Sequence, residues 1–244
     1  MDETNLLKQQ EELFERMMRE RPGLYPHLIR DGVVNSEEFF KRKPRVVFLA
    51  KDPNYGEIAK GETRDLFDRI RKGGSEAEAD LSKWTKRGIL AKWLSAIHGE
   101  GLSWDELVRN SSDINWCLEK FKGFALVNIK KTAGKGTNPR EQLGDYHTKL
   151  NTHAREAAVY LADQIRLYDP DIVVACGTGI GIIRNLFSKD TASENRTRRG
   201  WVFYQMSGEK FKLIPYYHFS SRVDGRMLHY GLVDAINEIC DRNF

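Results

Sequence analysis

The sequence predicts an α/β fold built on a mostly parallel sheet with helices on both faces. Short apolar runs occur at 45–50, 124–129 and 171–176, and continuous runs of this kind fit strands buried on both faces. Stretches of helical periodicity separate them, which argues for parallel pairing through helical crossovers. Each run leads into turn residues: Lys51-Asp52-Pro53-Asn54-Tyr55-Gly56, the glycine-rich segment after Asn128, and Gly177-Thr178-Gly179.

Taken in order, residues 4–20 place Leu6, Leu7, Leu13, Phe14, Met17 and Met18 at amphipathic-helix spacing, and Arg21-Pro22-Gly23 stops that helix. The first buried strand follows Lys43-Pro44. A helix is expected over 84–97, from Trp84, Ile89, Leu90, Trp93, Leu94 and Ile97. The second strand leads into a basic loop that runs to Pro139. One long helix is expected from about Thr152 to Tyr168, closed by Asp169-Pro170, before the third strand. The glycine turn then opens a helix through Phe187. Further strands are expected at 202–205 and 211–215, with a closing helix over about 228–242.

A chain of 244 residues is long enough for one well-buried domain, here a helical extension at 1–42 and an α/β core at 43–244. Apolar content of 40% and charged content of 30% are those of an ordinary globular protein. No window approaches a bilayer span, and the charged N-terminus lacks a signal core, so a cytoplasmic monomer with no membrane partner is expected. The cysteines, Cys117, Cys176 and Cys240, are widely spaced and odd in number, which argues against a disulfide framework or a cysteine metal site. No metal and no cofactor is expected. The net charge of +4 is a mild pointer to a polyanion, and its distribution says more. Asn128 to Arg140 carries Lys130, Lys131, Lys135 and Arg140 without an acid, and 195–200 carries Arg196, Arg198 and Arg199. Solvated loop charge is the plain reading, and phosphate contact the sharper one.

In parallel sheets functional groups gather beyond the carboxyl ends of the strands. Those ends carry Asp52, Asn128 and His218. Breaking a base–deoxyribose bond needs this set of roles. The sugar departs as a cation, so a carboxylate near it orients water and offsets charge. The base departs as an anion, so a neutral donor stabilises it. A side-chain amide offers a donor and an acceptor together, and can read a base edge. The same trio would also serve other hydrolases.

The segment 47–56 resembles the first motif of uracil-DNA glycosylases, G-Q-D-P-Y-H-G in the classical branch, with Asp52-Pro53 on its Asp-Pro and Gly56 on its last glycine. Phe124 to Pro139 resembles the segment that reads N-V-V-K-C-R-P-P-G-N-R in the iron–sulfur branch, aligning Asn128, Lys131, Asn138 and Pro139. Tyr217-His218-Phe219-Ser220-Ser221-Arg222 resembles the H-P-S motif that leads into the DNA-intercalating loop. The resemblance covers about 43–240, with the motifs in order.

It implies a three-layer α/β/α fold around a central, mostly parallel four-stranded sheet, and a DNA glycosylase that flips out its target nucleotide. Asp52 would position the water, Asn128 would recognise the base, and His218 would stabilise the leaving anion. Lys51, Asn54 and Tyr55 would border the base. Lys131, Lys135, Ser220, Ser221, Arg222 and Arg226 would contact DNA, and Val223 or Met227 would fill the gap in the helix. Four departures stand out: Lys51 before the aspartate, Asn54 at the classical tyrosine's place, Phe219 for proline, and Thr132 for a cluster cysteine. The small Asn54 leaves room beside C5 of a pyrimidine, so a bulky 5-modified base of phage DNA is expected as substrate beside uracil, in a defence role.

Each feature also has a plainer reading. Asp52-Pro53 is a common turn pair, Asn128 is able to cap a turn, and His218 among aromatics is able to be a core histidine. Gly177-Thr178-Gly179-Ile180-Gly181 has Ile182 where a dinucleotide fingerprint needs a small residue. The rival functions are a non-catalytic nucleic-acid-binding relative and a nucleotide-binding α/β enzyme.

Overall fold

The computed structural model describes residues 3–53, 63–83, 87–132, 143–187 and 192–241. Along the chain these form α1 (Glu3–Glu20), β1 (Leu28–Arg30), β2 (Gly32–Val33), α2 (Ser36–Lys41), β3 (Val46–Ala50), β4 (Thr63–Asp65), α3 (Asp68–Lys72), α4 (Gly74–Lys83), α5 (Arg87–Ile97) and α6 (Trp104–Asn110). There follow α7 (Ile114–Phe121), β5 (Ala125–Asn128), α8 (Leu143–Glu156), α9 (Ala158–Leu167), β6 (Ile172–Cys176), α10 (Ile180–Leu186), β7 (Ala192–Arg196), β8 (Val202–Met206), β9 (Lys212–Tyr216) and α11 (Gly225–Ile239).

The fold is mixed α/β with a mostly parallel central sheet. Among the described residues that sheet has seven strands, where four were expected, in the order β2-β5-β3-β6-β9-β8-β7, and its parallel centre is β5-β3-β6-β9. The additional strands pair antiparallel at the edges: β2 on β5, and the β7–β8 hairpin on β9. Of these, β8 falls on the strand expected over 202–205, whereas β2 and β7 escape sequence periodicity for a physical reason. β2 is two residues long, and β7 reads Ala-Ser-Glu-Asn-Arg, mostly polar and half to fully exposed. A second, two-stranded sheet pairs β1 with β4.

Successive residues of the central strands face opposite layers. Val47, Leu49, Val127, Val173, Ala175 and Leu213 pack into one apolar cluster with α1, α8, α9 and α10. Val46, Phe48, Leu126, Val174, Cys176 and Ile214 pack into the other, with α3, α4, α5, α7 and α11. In the second, Phe48 lies between Trp93, stacked at 6.0 Å, and Phe124, at 5.5 Å.

The expected helix over 152–168 is two helices, α8 and α9, with Ala157 between them at φ −92°, ψ −1°. The N-terminal region is not only helical, since it also supplies β1 and β2. Leu6, Phe14 and Met17 of α1 lie in the same cluster as β3. Among the described residues no helix is long and apolar enough to cross a membrane.

Candidate functional site at the strand ends

Three parallel strands end together and set the site. Ala50 of β3 registers with Asn128 of β5, and the ladder runs on: Ile129 N–H donates to Ala50 O and Lys130 N–H to Lys51 O, both at 2.9 Å. The backbone entering Asp52 is thus held beside Asn128. Lys51 and Asp52 are half-buried and Pro53 is buried. Asn54, Tyr55 and Lys135 lie outside the described residues.

Asn128 is 2% exposed and is gripped from the turn between β1 and β2. Asp31 Oδ2 accepts the Asn128 backbone N–H at 2.7 Å and its Nδ2–H at 3.0 Å. Asp31 Oδ1 accepts Lys131 Nζ at 2.6 Å and Gln164 Nε2 at 2.9 Å. Lys131 Nζ also donates to Asn128 O at 3.1 Å, and Gln164 continues the chain to Tyr168 Oη, which donates to Gln10. Burial pulls the Lys131 ammonium below the ordinary lysine range, against the opposing pull of Asp31.

This corrects the expectation for Lys131. Its side chain is 0% exposed and ion-paired with an equally buried Asp31, so it holds the site from beneath and does not reach a DNA phosphate. Its place in a basic run suggested surface. Only the Asp31 carboxylate, brought in from 100 residues upstream, shows otherwise.

His218 follows β9 and sits over the end of β6. Gly177 N–H donates to Tyr216 O at 2.7 Å, and Gly177 holds φ +66° with His218 directly against it: a Cβ on Gly177 would stand 2.9 Å from that of His218. The glycine turn is therefore what lets the histidine approach. The ring is half-buried, so the core-histidine reading fails for His218 and applies to His229, 2% exposed. The Ser220 backbone N–H donates to His218 Nδ1 at 3.2 Å, and the Ser220 hydroxyl lies against the same nitrogen. A backbone N–H is only a donor, so Nδ1 accepts, and the neutral ring carries its proton on Nε2.

Beyond the histidine, Ser221 N–H closes a turn onto His218 O at 2.8 Å, and Asp224 caps α11 through Arg226 N and Met227 N. Tyr216 Oη donates to Leu228 O at 2.8 Å and locks α11 to β9. Ser220, Arg222 and Arg226 are exposed and Ser221 half-buried. Of the two residues expected to fill the gap in the DNA helix, Val223 packs against the core cluster, whereas Met227 is 69% exposed.

The second basic run is charge-matched. Arg196 pairs with Glu194 at 3.0 Å, Arg198 with Glu238 at 3.8 Å, and Arg199 with Asp234. An open groove of about 1040 Å³ lies between this hairpin tip and α11, lined by Trp201, His229, Tyr230 and Asn237 among others. None of Asp52, Asn128 and His218 borders it. The groove's arginines Arg196, Arg198 and Arg199 are each paired with an acid.

No family model matches the chain, and no curated protein is similar to it. Among the described residues no group of three or more His, Cys, Asp or Glu side chains is placed to hold a metal ion, and Cys117, Cys176 and Cys240 are not joined in disulfides. Sequence reasoning missed Asp31, Gln164 and the Gly177–His218 contact. Asp31-Gly32 is legible as a turn, but its partner on β5 is 97 residues away.

Proposed function

We propose that the chain is a monofunctional DNA glycosylase of the uracil-DNA glycosylase superfamily, acting on a flipped-out pyrimidine and leaving an abasic site. The observation that carries this reading is the convergence of Asp52, Asn128 and His218 at the carboxyl ends of β3, β5 and β9 in one sheet. Asp52 orients water and offsets the sugar's positive charge. His218 presents a neutral Nε2–H to the base oxygen that gains negative charge. A preorganised donor of this kind lowers the barrier by about 3–4 kcal/mol. Asn128 reads the base edge.

Ser220, Ser221, Arg222 and Arg226 supply phosphate contacts from the surface beside the histidine, and Met227 is the side chain free to fill the vacated stack. Flipping costs a few kcal/mol, about what such contacts return. Asn54 in place of a tyrosine supports a bulky 5-modified pyrimidine over plain uracil, and with it a role against phage DNA in the cytoplasm.

The experiment is mass spectrometry of bases released from DNAs carrying uracil, 5-hydroxymethylcytosine and its glucosylated form. The expected result is release of a modified base by the wild type and none by Asp52→Asn, which still binds DNA. Release of uracil alone removes the modified-base claim. No release from any substrate, with Asp52→Asn retaining the biological activity, favours a non-catalytic DNA-binding protein.

A further inference from the structure

The Asp31 carboxylate is fully buried and receives four donors on its two oxygens. Four donors require the ionised form, because a protonated carboxyl would turn one oxygen into a donor. Two of the four come from Asn128, its backbone N–H and its side-chain Nδ2–H. Lys131, which balances the charge, takes the Asn128 carbonyl oxygen. The ion pair therefore grips one residue at three atoms. The turn that delivers Asp31 is itself tightly seated: Gly32 holds φ +122°, and a Cβ there would collide with the Tyr168 hydroxyl and the Gln10 amide.

We propose that Asp31 is a positioning residue that sets which way the Asn128 amide faces, and thereby which pyrimidine edge is accepted; this rests on the glycosylase reading above. An ionised carboxylate only accepts, so the nitrogen of the Asn128 amide faces Asp31 and its oxygen faces away. One amide oxygen and one remaining N–H, in fixed order, form the reading edge. That order carries information. The N3–C4 edge of a 4-keto pyrimidine runs donor then acceptor, and that of a 4-amino pyrimidine acceptor then donor. An amide free to flip would match both, and an amide held by Asp31 matches one. A buried ion pair adds little net stability over an apolar pair, so held geometry is its chief contribution.

Asp31→Asn alone leaves the Lys131 charge buried and uncompensated, and is expected to fold poorly. The test therefore uses the paired variant Asp31→Asn/Lys131→Met, which is neutral and close in volume, with its fold checked by circular dichroism. Base release is measured on matched DNAs carrying 4-keto bases (uracil, 5-hydroxymethyluracil) and 4-amino bases (5-hydroxymethylcytosine and its glucosylated form). The expected result is a kcat on the preferred base lowered about 10-fold or more, with KM little changed and the keto-to-amino preference collapsed toward one. A merely structural Asp31 would alter stability and leave that preference intact.

A wild type that releases base, beside a folded paired variant of unchanged kcat and preference, overturns the role of Asp31 and leaves the glycosylase reading standing. A wild type that releases no base overturns both. A second measurement needs no variant to fold at position 31. The Asn128 side-chain amide protons, assigned by their loss in Asn128→Asp, should exchange with solvent far more slowly than those of exposed asparagines. Exchange at the exposed rate overturns the proposed lock.

Discussion

Gly177 lies against His218 closely enough that a Cβ on the glycine would stand 2.9 Å from the histidine's own, and its φ of +66° is one that side-chain-bearing residues seldom adopt. The turn after β6 is thus a seat for a residue 41 positions later in the chain. Gly177→Ala is expected to cost about 1–2 kcal/mol of stability from the backbone alone, measured by urea unfolding. Displacing His218 should also lower base release up to about 100-fold, with DNA affinity nearly unchanged. Wild-type turnover in Gly177→Ala would show that this contact does not set the histidine.

The proton placement on His218 makes its own prediction. His218→Ala should reduce turnover about 10²–10³-fold, the size of losing one preorganised donor, with little loss of stability because the ring is half-buried. Single-turnover kinetics beside thermal unfolding separates the two effects.

Lys131 and the surface arginines should behave in opposite ways. Lys131→Met strands the buried Asp31 charge and is expected to cost about 3–5 kcal/mol of stability. Arg222→Ala and Arg226→Ala should leave stability within about 0.5 kcal/mol. Each should also lower the slope of log affinity against log salt by about one. A Lys131→Met protein of full stability with a reduced salt slope would restore Lys131 as a phosphate contact.

His229 links stability to acid. Burial, with the Lys92 charge behind it, lowers its pKa from 6.5 to about 4 in the folded chain, where its ring lies 5.4 Å from that of Trp104. The unfolded chain therefore binds the proton more readily. The stability this group contributes is fully present above pH 6.5 and is lost as the pH falls toward 4. The loss is at most about 3 kcal/mol. Urea unfolding at pH 7 and pH 4.5 should show a smaller acid loss in His229→Gln than in the wild type. An equal loss in both would assign the acid sensitivity elsewhere.

The parallel centre of the fold was legible because burial on both faces leaves a local signature. Val46–Ala50, Ala125–Asn128 and Ile172–Cys176 are apolar runs buried at every position, and their turn residues mark where they end. The edge strands were not legible, since β7 needs only the backbone of β8 as partner and buries little of its own. The break at Ala157 was hidden because both halves keep helical periodicity.

By itself, then, the sequence determined the α/β class, the central strands and the positions of Asp52, Asn128 and His218 at their ends, all of which follow from local periodicity and turn chemistry. Tertiary structure alone decided that Lys131 is a buried counter-ion and that Asp31 holds Asn128. It also decided that Gly177 makes room for His218, and that Met227, not Val223, faces solvent. Each of these is a contact between residues far apart in the chain or a fact of burial. Such facts depend on which surfaces the fold presses together, and no local pattern of residues records that.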